Sequence, residues 1–200
     1  MFGFSQLHQQ ADDAMRRGDF SAASQYYSAS WNDYVEQRQQ AQANGCLREL
    51  DRMFTPKDAF WLLMSGGNSQ FCAGDYAGCL EACELTLMAF RELGCVVGNP
   101  FFHLRAGQAS FELDEGGSHD PAGTSIDNLA RALICGGVEI FNKEDDKYLD
   151  SVLEVLEPPQ GYSSWREATG QGCSVDLLNG ATGFLVDSLI EKYGSTPPYN

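Results

Sequence analysis

Basic residues are scarce in this 200-residue chain: 13 Lys and Arg stand against 28 Asp and Glu, a formal net charge of -15. Phosphate binding needs a concentrated positive surface, so the balance argues against a nucleic-acid partner and against an anionic membrane surface. Long apolar runs are also missing, and nothing approaches the roughly 18 uninterrupted apolar residues of a membrane span. The start, Met1-Phe2-Gly3-Phe4-Ser5-Gln6-Leu7-His8, has neither a basic leader nor an apolar run, so no secretory signal is expected. Histidine is limited to His8, His103 and His119, which leaves a histidine-dependent mechanism few choices. Phosphate loop, dinucleotide fingerprint, nucleophile elbow and HExxH motif are all lacking. The seven cysteines are an odd number without the spacing of a disulfide framework, which reads as reduced thiols and a cytoplasmic setting.

What remains is enough for a core. Hydrophobic residues make up 43% of the chain and aromatics 12%, at a length that suits one domain with an appendage. Apolar stripes of helical period recur and alternating runs are rare, so the fold class expected is all-α. Two segments align: Gly18-Asp19-Phe20-Ser21-Ala22-Ala23-Ser24-Gln25-Tyr26-Tyr27 and Gly74-Asp75-Tyr76-Ala77-Gly78-Cys79-Leu80-Glu81-Ala82-Cys83. Each pairs a Gly-Asp-aromatic turn with an amphipathic run, and each follows a helix-compatible stretch, Gln6 to Arg17 and Asp58 to Ala73. The physical reading is helix, tight turn, helix. Glycine takes the left-handed conformation that ends one helix, aspartate caps the next, and the aromatic ring fills the angle between them.

This pattern resembles the tetratricopeptide repeat, a helical hairpin of about 34 residues. One copy supplies Leu63, Gly66, Gly67 and Gln70, then Cys79 and Cys83. An earlier copy supplies Leu7, Ala11 and Ala14, then Ala23 and Tyr27. A third, degenerate copy runs through His103, Ala106, Gly107 and Phe111, then Ser125, Leu129 and Ala132, with an acidic, glycine-rich insertion at Asp114 to Gly123. The segment Asn99-Pro100-Phe101-Phe102-His103-Leu104-Arg105-Ala106-Gly107-Gln108, with Phe111-Glu112-Leu113 and Asp146-Lys147-Tyr148-Leu149, further resembles bacterial tetratricopeptide-like proteins encoded beside secreted polymorphic toxins. That resemblance covers Trp61 to Pro159. The repeats imply stacked hairpins, an α-solenoid over residues 1–159; beyond it Gln160 to Gly180 is Gly/Ser-rich and poorly periodic, which reads as an irregular C-terminal extension over 160–200.

Local signals place the remaining boundaries. Val35 to Leu50 either extends the second helix or forms an inserted one. Thr55-Pro56-Lys57-Asp58 reads as a cap and first turn, and Asn99-Pro100 starts a helix at Phe101. Gly136-Gly137 interrupts a helix. Asp145 to Leu156 carries the stripe Tyr148, Leu149, Val152, Leu153 and Leu156, which stops before Pro158-Pro159. Ala181 to Tyr193 offers one more helix ahead of a tail expected to be disordered.

The residues with potential chemistry point away from catalysis. Cys79 and Cys83 share a helix face at packing positions of the repeat, and no CxxC or Cys-His block completes a zinc site. His119 beside Ser118 and Asp120 belongs to a solvated turn, since adjacency is not a fixed relay. The clusters Glu112, Asp114, Glu115 and Glu144, Asp145, Asp146 lack the alternating ligands and central glycine of a calcium loop. No metal, cofactor or catalytic residue is therefore expected. The repeat resemblance implies a concave face that binds protein, with Trp61, Asn68 and Phe71 on one copy and Arg105, Gln108 and Glu112 on another. By resemblance and charge, the function expected is a cytoplasmic immunity protein, or antitoxin, that binds a toxin domain with a basic surface. The alternative is an acidic chaperone or adaptor for a secreted protein.

Overall fold

A computed structural model describes residues 3–90, 98–115, 124–154, 156, 158, 161 and 163–168. Among the described residues the fold is all-helical, without a strand. The helices are α1 (Gly3–Arg16), α2 (Phe20–Ala43), α3 (Leu47–Met53), α4 (Pro56–Cys72), α5 (Tyr76–Phe90), α6 (Pro100–Glu115), α7 (Thr124–Gly136), α8 (Asp146–Leu153) and α9 (Trp165–Ala168). A 3-10 turn at Val138–Phe141 separates α7 from α8. The chain divides into two compact units, Met1–Thr86 and Leu87–Asn200. The 181–193 helix, His119, Cys95, Cys173 and most of the 114–123 insertion lie outside the described residues.

In the first unit, α1 and α2 form one hairpin and α4 and α5 a second, each closed by the expected turn. Gly18 has a φ of 75° and Gly74 a φ of 80°. Asp19 N–H donates to the Ala14 carbonyl at 3.0 Å, and Asp75 N–H to that of Gln70 at 2.9 Å. These are the six-to-one bonds of a helix ended by a left-handed glycine. The same aspartates then cap the next helix: Asp19 Oδ1 accepts from Ala22 N–H at 3.1 Å, Asp75 Oδ1 from Gly78 N–H at 3.0 Å. Two residues thus end one helix and begin another. Asp19→Ala is expected to cost about 1 kcal/mol through the lost cap. A urea midpoint followed by Trp fluorescence checks it, because Trp31 and Trp61 both report on this unit. An unchanged midpoint would mean that water caps α2 equally well.

Packing follows the helical stripes. In α2 the buried side chains Ala23, Tyr27, Ser30, Trp31, Tyr34 and Ala41 include the i, i+4, i+8 series 23, 27, 31 and the i, i+4 pair 30, 34, one face of a 3.6-residue period. That face meets α1 and α4. Gly66 of α4 lies against Tyr27, and Gly67 lets α5 approach so closely that an added Cβ would sit 3.1 Å from that of Ala82. Cys79 and Cys83 are buried at this junction as small core residues. The open question over residues 35–50 resolves both ways: α2 extends to Ala43, then Gly45 at φ 70° breaks the chain and α3 follows as an inserted helix. Thr55 caps α4 in a reciprocal box with Asp58 and with proline in the first turn.

In the second unit, Asn99 Oδ1 accepts from Phe102 N–H at 3.0 Å and starts α6 at Pro100. Every residue from Phe102 to Ser110 is buried, so α6 is covered on all sides. α7 packs along it with Leu129, Ala132 and Leu133 in the interface core. Gly107 permits the approach: a Cβ there would lie 2.8 Å from the Leu129 backbone nitrogen. α7 ends at Gly136, and Asp145 caps α8, which buries Tyr148 and Val152.

Candidate functional site

The first unit presents two faces of α4. Trp61 and Asn68 are seven residues apart and share one of them, with Lys57 and Cys72 exposed above and below. Trp61 is 39% exposed, and its ring stands edge-on to that of the buried Phe60 at 5.0 Å. The indole is therefore braced by the core while part of it is exposed on the surface. Phe71 is half-buried and packs on Tyr76 across the Gly-Asp turn at 5.4 Å, so part of its ring closes the hairpin.

The opposite face of α4 lines an open groove of about 220 Å³ between α2 and α5. Gly66, Gly67 and Gly78 line it and bring the helices close together, and Tyr27, Trp31, Leu62, Leu63 and Leu85 supply its apolar side chains beside Gln70 and Glu81. Sequence reasoning passed over this groove. Its signal was available in the glycine pair of α4 and in Gly78 on the facing helix.

Tyr27 also anchors the first hairpin, donating its phenol hydrogen to Asp12 Oδ1 at 2.6 Å. Burial, then the hydrogen bond and charge of Asp12, hold its pKa well above the ordinary phenol value. Burial likewise raises that of Tyr34. Below pH about 9 both phenols are neutral whether folded or not, so the contacts contribute in full. Above that, the unfolded chain loses phenol protons that the folded chain retains, and stability falls as pH rises. Tyr27→Phe should flatten this alkaline decline by up to one proton, about 1.4 kcal/mol per pH unit. Urea midpoints between pH 9 and 11.5 measure it; an unaltered slope would mean Tyr27 is not the responsible group.

Three sequence-derived candidates come together in the second unit, along one face of α6. Arg105 Nη1 donates to Glu144 Oε2 at 2.8 Å and to Gln108 Oε1. Gln108 Nε2 donates to the same Glu144 oxygen at 2.9 Å. One turn on, Glu112 accepts from the Tyr148 hydroxyl and pairs with Lys147 Nζ at 2.7 Å. The Lys147 ammonium lies 5.6 Å from the Phe111 ring centre and 5.2 Å from that of Tyr148. Arg105 is 8% exposed and Gln108 wholly buried. These residues clasp the segment from the 3-10 turn through α8 onto α6.

Two further buried polar side chains are engaged within the second unit. His103 Nδ1 donates to Asn128 Oδ1 at 3.1 Å, tying α6 to α7. Arg131, only 2% exposed, donates from Nε to Asp127 Oδ2 at 2.9 Å. Among the described residues no three of His, Cys, Asp and Glu are grouped to hold a metal ion. Among the same residues no helix is long and apolar enough to cross a membrane.

Compared with protein-family models, curated proteins and solved structures, this chain matches none.

Proposed function

We propose that this chain is a non-catalytic protein-binding module of stacked tetratricopeptide-type hairpins, acting in the cytoplasm as an immunity protein that blocks a toxin effector. The observation that supports the binding reading is the pair of hairpins in the first unit. Both are closed by the same Gly-Asp turn, and α2 of the first packs on α4 of the second. Stacking of this kind leaves the first helix of a hairpin free to present side chains along one face. On α4 that face offers Trp61, braced and partly exposed, with Asn68 beside it. Acidity supports the choice of partner. A chain of net charge -15 draws a basic surface at long range, which mainly raises the association rate.

The immunity role is tested on the adjacent reading frame. Its product is expected to arrest growth when expressed alone, and this chain to restore growth and form a one-to-one complex with it. A harmless neighbour, or a toxic one that this chain neither binds nor neutralises, would overturn the reading. Trp61→Ala should weaken the complex by about 2 kcal/mol or more if the indole is an anchor.

A further inference from the structure

We propose that the hollow between α2 and α3 docks a basic segment of another protein in which arginines or lysines flank one apolar side chain. The inference rests on the reading above that the partner is basic, and adds where and how its charge is met. The hollow has a volume of about 600 Å³, within the range of specific binding pockets. Asp33 and Glu36 reach it from α2 and Glu49 from α3, and no cation lines it. Arg48 and Arg52 of α3 are exposed but are not part of the lining. Arg38 is turned to Asp51, 2.6 Å away.

Between the carboxylates the lining carries three apolar side chains, Ala41, Leu50 and Met53, beside the amides of Gln37, Gln40 and Asn44. Ala41 and Leu50 are buried there, and Met53 is 60% exposed. A long apolar side chain left so open has little contact of its own, and an incoming apolar residue would cover it. Gln37, also in the lining, has a buried Oε1 that accepts no hydrogen bond. The terminal torsion of glutamine is broad, so this amide can turn to meet a donor such as a guanidinium. Acid on both walls, apolar side chains between them and an unused acceptor specify the occupant's chemistry. No group of three carboxylates converges tightly enough among the described residues to hold a single ion, which suits charges spread along a segment. A second copy of the chain would bring acid against acid. The hollow exists because α3 is inserted between the two hairpins.

The test uses the full chain and a fluorescein-labelled peptide with one leucine flanked on each side by two arginines. Anisotropy gives its dissociation constant. Neutralising the walls together (Asp33→Asn, Glu36→Gln, Glu49→Gln) is expected to weaken binding at least tenfold. Neutralising three exposed carboxylates elsewhere (Glu139→Gln, Asp150→Asn, Glu154→Gln) should change it less than threefold. Met53→Ser, or serine for leucine in the peptide, should also weaken it several-fold. Equal losses in the two triple variants would mean diffuse attraction to an acidic protein, and no loss in either would place the peptide elsewhere; both overturn the proposal. So would sedimentation showing a dimer that Met53→Ser dissociates, since a second copy would then be the occupant. A toxin bound equally well by the wall-neutralised chain removes the hollow and leaves the immunity reading intact. Peptide binding without toxin neutralisation does the reverse.

Discussion

Arg105→Ala is expected to destabilise the second unit by roughly 2–3 kcal/mol, a cost comparable to truncating a buried apolar side chain. The guanidinium is the cationic partner of Glu144, whose side chain is 15% exposed, and it also satisfies Gln108 Oε1. Removing it leaves a carboxylate with little water and a buried amide oxygen without its donor. Breaking one side of a buried pair costs several kcal/mol for that reason. Gln108 Nε2 still reaches Glu144, which keeps the cost below the upper end. Replacing the trio with apolar residues (Arg105→Met, Gln108→Leu, Glu144→Met) should restore much of the loss, because no buried polar group is then left without a partner. Calorimetric melts of the three proteins decide it. An Arg105→Ala protein as stable as the parent, or an apolar trio worse than the single variant, would show that the clasp adds little.

This result bears directly on recognition. A loss of partner binding in Arg105→Ala would report the collapse of the clasp as readily as a missing contact. Trp61→Ala is the cleaner probe, since its partly exposed ring can be removed while Phe60 stays buried beneath it.

Gly107→Ala should cost about 2 kcal/mol even though alanine is the better helix former by about 1 kcal/mol. The added methyl would meet Leu129 Cγ at 2.7 Å and the Leu129 backbone nitrogen at 2.8 Å. A side chain can rotate away, but a helix backbone cannot, so α6 and α7 would have to separate. Gly66→Ala is the control of opposite sign. Its nearest neighbour, Tyr27 Cβ, is 3.4 Å away, an ordinary contact. There the propensity gain prevails, and the variant should be neutral or more stable by up to about 1 kcal/mol. Urea unfolding of both measures the contrast; a tolerated Gly107→Ala would mean that the two helices slide apart at little cost.

The parts of this fold that the sequence discloses are those whose chemistry is local. Gly18-Asp19 and Gly74-Asp75 could be read as turns because the conformation and the cap both depend on residues within one helical turn. Thr55-Pro56, Asn99-Pro100 and Asp145 were legible for the same reason. The burial of Cys79 and Cys83 followed from their place on a packing face. Arg105 and Gln108 were harder. On α6 they stand among nine consecutive buried residues, polar and apolar alike, so the helix has no amphipathic stripe that shows where a charge goes. Their partner Glu144 is 39 and 36 residues away, a separation that leaves no periodic trace. The groove beside Gly66 and the hollow beside α3 were missed because a close approach at glycines, or an inserted helix, defines a space only after three elements have packed.

The clasp on α6 also has a place in time. Its bonds join residues 36 to 39 positions apart, so its closure carries a loop entropy that the turns at Gly18 and Gly74 do not. The α6–α7 hairpin shortens that search by folding the intervening chain back on itself. Among the described residues of this unit, the clasp is expected to close last and, because opening it exposes only a short helix, to release first. Backbone amides of α8 should accordingly exchange with solvent through partial openings, well before those of α6, whose release requires unfolding of the whole unit.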